Sequence, residues 1–429
     1  MHSNHQTLST ALQNGLAIYY LLVVAMNLGF AAYFFYARKN VLQALIWVGV
    51  GVLFLIHAAA YFAHAGWMIP PFSQNFVNYV MNPVTYFVAA CIGLFIALYF
   101  RRFFTDPIVA WTILMAALLF SGWAMTNNNF KEIITKPDNV PIVMLIFSVG
   151  FVTWLALRKA VINDERLDRG EQPVELANGE GEKVLVWPDL VYTELIAMVI
   201  CTLILVVWAV VLKAPLEQPA SSFRIPNPSK APWYFLGLQE MLVYFDPWMA
   251  GVVLPTMIIN GLIALPYIDF NTKGNGYFTF KHRTFAVSTF LFGFVVLWVV
   301  LIVLGTFLRG PNWNFFGPFE PWDPHKTVKL NNVMLSDYFW LYLLGRSTDR
   351  HWAIRELPGI ILVLAYLLLL PPLLAKTIMK PFFIRMGFIR FFTLVTLIQF
   401  MASLPIKMVL RWTLNLKYIV FIPEWFFNI

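Results

Sequence analysis

Charged side chains are scarce in this chain: Asp, Glu, Lys and Arg make up 12% of its 429 residues, against ~25% in an ordinary soluble domain. With 60% hydrophobic residues and a mean hydropathy of +0.70, that scarcity excludes a water-soluble globular protein and predicts a polytopic membrane protein. Cysteine is nearly absent. Cys91 and Cys201 each lie in an apolar run with no second Cys or His at ligand spacing, which argues against a disulfide framework, a zinc site and covalent c-type haem attachment. Packing is their expected role. No metal site is expected, and neither a glycine-rich phosphate loop nor a nucleophile motif is present; "KGNGYF" is too short for nucleotide binding. The net charge of +8 comes from short basic clusters at the ends of apolar runs, not from one stripe with interleaved aromatics. Membrane topology explains that distribution and nucleic acid does not. The start "MHSNHQTLSTALQNG" lacks a basic region followed by a short apolar core, so no cleavable signal is expected.

What is abundant is long apolar sequence. A helix crossing ~30 Å of hydrocarbon needs about 20 apolar residues. Ten runs qualify, near 14–37, 42–65, 79–100, 107–126, 140–158, 190–212, 247–268, 284–308, 357–375 and 389–410. The predicted fold class is therefore an all-α integral membrane protein of about ten helices. Lys and Arg gather after the odd-numbered runs, as Arg38 and Lys39, Arg101 and Arg102, Arg158 and Lys159, Lys273 with Lys281 and Arg283, and Lys376 with Lys380 and Arg385. Those loops should face the cytoplasm, which puts both termini and residues 213–246 on the outer, periplasmic side of a bacterial inner membrane. The stretch 161–186 mixes charges with Gly and Pro and reads as a solvated cytoplasmic linker. It divides a five-helix domain, 1–160, from a second membrane domain, 187–380, followed by an extra helix and interfacial tail, 381–429. The two halves show no repeat and almost no intramembrane charge, which weakens a transporter reading.

One loop stands out. "SKAPWYFLGLQE", Ser229 to Glu240, crowds aromatics beside a proline. Upstream lie Trp187, Pro188 and Asp189 at the entry to an apolar run; downstream, "GVVLPTMIINGLIALPYID" ends on Pro266, Tyr267 and Asp269. Over about 183–310, and to about 375 if a fourth helix is included, this pattern resembles the C-terminal domain of cytochrome b and its separate form, subunit IV of cytochrome b6f complexes. The resemblance implies a quinol-oxidation loop on the outer face, where the family carries a Pro-Glu-Trp-Tyr tetrad. Here Pro232, Trp233 and Tyr234 are the corresponding quinone-binding candidates, but Pro232 stands where the family has glutamate and Ala231 where it has proline. Two acids are candidates for the missing proton acceptor. Glu240 lies seven residues past Trp233, on the same face if a short helix forms there. Glu424, the weaker candidate, sits in "IPEWFFNI", which reproduces the tetrad pattern. A partly buried carboxylate suits the chemistry because it accepts a hydroxyl proton near its raised pKa; the plain alternative for each is an interfacial charge.

The only histidines in the apolar runs are His57 and His64, two turns apart on one predicted helix. They cannot clasp one iron from opposite sides, and are read chiefly as interhelical hydrogen-bonding groups, with quinone or haem contact as lesser readings and, for His64, a solvated place near the outer interface. The resemblance thus implies haem b on a partner cytochrome b-like chain, quinol as substrate, an iron–sulfur protein or c-type cytochrome docking on the outer side, and membrane lipid around it. The expected function is a membrane subunit of a quinol:cytochrome c oxidoreductase; the alternative is a non-redox scaffold subunit. The long loop from Arg309 to Glu356, rich in Pro, Gly and aromatics, is expected to dock on a partner outside the membrane.

Overall fold

The computed structural model describes residues 8–178, 185–212, 219–273, 276–328, 331–348 and 350–429. Parts of the polar start, the 161–186 stretch, the 213–246 loop and "KGNGYF" therefore lie outside the described residues. Most of the rest is helix. The apolar helices are α1 (Thr10–Ala37), α2 (Val41–Phe62), α4 (Pro83–Tyr99) preceded by the shorter α3 (Pro71–Val80), α5 (Pro107–Ala124), α6 (Val140–Asp168) and α7 (Val186–Val211). After the short α8 (Trp233–Met241) come α9 (Met249–Ile268), α10 (Thr284–Phe307), α11 (Leu357–Lys376) and α12 (Lys380–Leu414). Nine of these are long and apolar enough to span, and α3 with α4 forms a pair bent by 78°, in place of the single run expected at 79–100. The bend has a local cause. Pro83 opens α4, and Asn82 caps it by accepting from the Val84 amide, so α3 ends where proline restricts the residue before it. Ser9, Asn40 and Asp106 cap α1, α2 and α5 in the same way.

The loops sort to two ends. At one end, called upper here, Asn78 accepts from the Phe319 amide (3.0 Å), Asn129 donates to the Phe319 carbonyl (3.4 Å) and Tyr418 donates to Asp246 (2.9 Å). At the other, Arg101 stacks over Phe280 at 4.3 Å, Arg102 pairs with Glu165 at 3.5 Å, and Ile268, Ala375 and Met386 share a cluster. Loops that follow even-numbered apolar runs thus meet at the upper end, and the basic loops after the third, fifth, seventh and ninth runs meet at the lower.

Two expectations are corrected. The first part of the charged stretch expected as a solvated linker, 161–168, is instead helical and packed: α6 continues to Asp168, and Asn163 and Asp164 are buried. Asn163 donates to Glu175 (2.8 Å) and to the Phe278 carbonyl (3.1 Å), and Asp164 accepts from the Phe280 and Lys281 amides (3.2 Å each). The polar residues seal one lower loop against another. His64 does not share a helix face with His57, because α2 ends at Phe62 and His64 takes a left-handed backbone, φ 53°.

Packing is uneven. One cluster joins α1, α2 and α5 around Tyr20, Trp47, Phe54 and Tyr61. The larger joins α8, α9, α10 and α12 around Tyr244, Leu301 and Met408, and draws in Phe87 of α4 and Ile142 of α6, so packing crosses the boundary expected near 160. By contrast, no residue of α7 is buried. A cleft of about 480 Å³ lies between Val140 and the Leu203–Leu212 end of α7.

Candidate functional site

The upper-end segment 227–241 is built by proline and glutamine. Pro232 has the extended backbone of a helix N-cap and leaves Trp233 to start α8. Gln239 then reaches back, accepting from the Ala231 amide (2.8 Å) and donating to the Ser229 carbonyl (2.9 Å), which closes the loop onto its own helix. Gly305 lets α8 press against α10: a Cβ there would lie 3.2 Å from the Leu236 carbonyl oxygen. Asn227 and Asn312 pair through the Asn227 side chain, 2.9 and 2.6 Å, and so tie the start of the segment to the loop after α10.

This packing drives Glu240 inward. It is completely buried, and Arg309 just past α10 donates to both its oxygens, with Nε 2.9 Å from Oε2 and 3.2 Å from Oε1. The Trp313 indole donates to Oε2 at 3.2 Å, and Arg309 Nη1 donates to the Trp313 carbonyl at 3.0 Å. Burial works against the Arg309 charge, but the Glu240 carboxylate more than offsets it and holds the guanidinium above its ordinary range. Four residues on, the Tyr244 hydroxyl is buried, and burial, then Glu240, raises its pKa.

Lys230 enters the same corner. Its Nζ donates to the Thr306 carbonyl at 2.7 Å and sits 5.3 Å from the centre of the Trp322 ring. Burial pushes its pKa down to about 7; Lys136 and Arg309 add to that fall, and Asp138 and Glu240 oppose it. On the open side, Trp233, Tyr234 and Phe235 form an exposed aromatic rim, with Trp233 edge-on to Tyr234 at 5.8 Å, and Pro232 is exposed beside them. A planar apolar ligand can stack on such a rim while buried polar groups stand behind it.

Glu424 lies in a different network. It is about half-exposed and pairs with Arg355 at 3.3 Å; its own backbone and then Arg355 hold its carboxyl below the usual range. Arg355 also pairs with the buried Glu356, which accepts from the Phe421 amide at 2.9 Å. The tail after α12 closes as a hairpin, β1 (Phe421–Ile422) against β2 (Phe427–Asn428). Pro232, Trp233, Tyr234 and Glu240 thus share one corner, and Glu424 shares none of Glu240's hydrogen-bond or ion-pair partners.

His57 is remote from this corner. It is buried against Tyr20, Trp67 and Trp123, with Nδ1 2.8 Å from the Leu53 carbonyl oxygen and Nε2 unpartnered. His64 is exposed. A haem needs an axial ligand on each side. His57 is hemmed in by its own aromatic neighbours and, among the described residues, no second histidine packs against it, so these residues do not fit a bis-histidine haem. Among the described residues no group of three or more His, Cys, Asp or Glu is placed to hold a metal ion.

Sequence reading missed Arg309, Trp313, Lys230 and Glu356. Lys230 stood in plain sight before the aromatic motif; Arg309 lies 69 residues from its partner, and nothing local marks the pair.

Residues 219–319 match the family model described as Cytochrome b(C-terminal)/b6/petD. The matched segment contains the 227–241 loop, Arg309 and Trp313, and the helices α8, α9 and α10 that position them. No solved structure matches the chain.

Proposed function

We propose that this chain is a membrane subunit of a cytochrome bc-type quinol:cytochrome c oxidoreductase, and that its 227–241 segment forms one wall of the quinol-oxidation pocket. The observation that carries the reading is the coincidence of the family match with an upper-end corner that sets an aromatic rim beside the buried Glu240–Arg309 pair. In this reading the upper end faces the periplasm of a bacterial inner membrane. The haems belong to a partner cytochrome b-like chain, and an iron–sulfur protein or c-type cytochrome docks near the 309–328 loop. Trp233 and Tyr234 hold the quinol ring, and protons leave to the outer side. Glu240, the acid of the loop, has both oxygens engaged by Arg309 and Trp313. It can accept a proton only by giving up its cation, so its first part is to hold the loop against α10.

The buried Glu240–Arg309 pair also favours a second reading, a scaffold subunit that keeps the fold without quinol chemistry. One experiment separates the two. In the intact complex, Trp233→Ala and Tyr234→Ala should raise the KM for quinol by about tenfold, the loss of ~1.4 kcal/mol expected for one stacking face, at unchanged subunit content. Unchanged steady-state kinetics in both variants leaves the scaffold.

A further inference from the structure

The N-terminal half carries a segment that neither the corner nor the family match accounts for. Between Lys39 and Arg101 the sequence holds no Asp, Glu, Lys or Arg, and within that neutral stretch α3 (Pro71–Val80) turns away from α4 by 78°. Its two faces differ. Phe72, Phe76 and Tyr79, at i, i+4 and i+7 of one face, are 74%, 66% and 70% exposed. The opposite face is taken up by the protein itself. Gln74 donates to the Ile69 carbonyl (3.0 Å) and accepts from the Asn127 side chain (3.1 Å), and Val77 packs on the cluster of Ile69, Ala124 and Phe319. Asn78 accepts from the Phe319 amide at 3.0 Å. That contact is close, because a Cβ at Gly317 would lie 2.4 Å from Asn78 Oδ1; the 317–319 chain presses directly on α3.

The level and direction of α3 say what its open face meets. A helix bent by 78° from a crossing helix lies near the membrane plane. Arg101 and Arg102 close the lower end of α4, whose 17 residues reach about 25 Å, short of a hydrocarbon core of ~30 Å. The other end of α4, and α3 with it, therefore stays at the hydrocarbon boundary. Outward along α4, Val84, Val88, Ile92 and Phe95 are exposed too, so the pair stands at the edge of the bundle, where lipid is the neighbour. A neutral aromatic stripe at that level suits the membrane interface, whereas a surface drawn to charged headgroups would carry Lys or Arg.

We propose that α3 is a membrane-surface helix: Phe72, Phe76 and Tyr79 dip into the upper leaflet where headgroups meet acyl chains, and the opposite face bears the 309–328 loop through Val77 and Asn78. The bilayer then sets the height at which that loop stands above the membrane. Nothing in this depends on the quinol site; it needs only that α4 crosses. Because no charge takes part, salt leaves the contact unchanged, unlike that of a basic surface helix.

The test uses the intact complex in proteoliposomes. An apolar diazirine that dissolves in the bilayer yields a carbene on photolysis, and its adducts on the wild-type chain should fall on Phe72, Phe76 and Tyr79 and spare Gln74 and Asn78, at low and high salt alike. Adducts on none of the three mean that protein covers the stripe, which overturns the proposal without any variant. Nitroxide labels on Phe72→Cys, Phe76→Cys and Tyr79→Cys, each with Cys91→Ser and Cys201→Ser, report depth. Molecular oxygen should relax them more than a water-soluble nickel chelate does, with the order reversed at Ser221→Cys. Chelate ahead of oxygen at the three positions puts the stripe in water and also overturns the proposal. Hydrogen exchange reads the link to the loop: Phe76→Asp should quicken exchange of the Phe319 amide by about tenfold as α3 lifts and local opening becomes easier. An unchanged rate at Phe319, with the aspartate in place, would sink the claim that the bilayer holds the loop.

Discussion

At the residue scale the decisive contact is between Glu240 and Arg309, whose side chains are 0% and 11% exposed. A buried pair of this kind adds little over an apolar pair, but removing one partner strands the other, at a cost of about 3–5 kcal/mol. Glu240→Gln should therefore lower the complex's melting temperature and its yield, and adding Arg309→Met should recover much of both. Full stability with lost turnover in the single variant would instead make Glu240 a participant in proton transfer. This contact also marks where sequence reading stops. The short helix on which the Trp233-to-Glu240 reading is conditional does form, as α8 over Trp233–Met241. Which cation meets Glu240 depends on how α10 ends, 69 residues later, and no local pattern encodes that. His64 shows the same limit at shorter range: apolar residues run on past Phe62, and the chain turns at a left-handed residue that hydropathy does not register.

At the element scale, glycines decide which segments can touch. Gly359 in α11 lies under the tail: a Cβ there would come within 2.0 Å of the Ile419 carbonyl oxygen, a distance no side chain tolerates. Gly359→Ala should push the 419–429 hairpin off α11 and break the Glu356 contact to the Phe421 amide. Limited proteolysis reads this directly, since a displaced tail is cut within minutes while the wild-type tail resists; equal resistance would mean that α11 shifts instead. Helices of this length are legible from composition because the bilayer imposes it. The 161–168 stretch was not, because the polarity that suggests solvent is used here to satisfy backbone amides of residues 280 and 281.

At the scale of the molecule, the sorting of loops into two ends makes the orientation testable. Cysteine placed at Ser221, exposed on the upper side, should react with a membrane-impermeant maleimide added to intact cells. Cysteine at Gln172, exposed on the lower side, should react only after permeabilisation. The reverse pattern would put the aromatic rim in the cytoplasm and remove the basis for proton release outside. Haem content belongs to this scale too: the isolated chain should show no low-spin b-type spectrum, since His57 has no opposing ligand among the described residues, and a strong one would place a haem in this subunit.

The pairing of Glu240 with Arg309 bears on modular exchange. The two residues sit on segments separated by two membrane crossings, α9 and α10, so the corner is not inherited as one contiguous cassette. A chimera that imports residues 219–270 from a related chain whose loop lacks an acid at this position will leave the host's arginine without a counterion. Grafts should succeed only when the crossover falls beyond Trp313, and a series of crossover points should show assembly returning abruptly once that position travels with the loop.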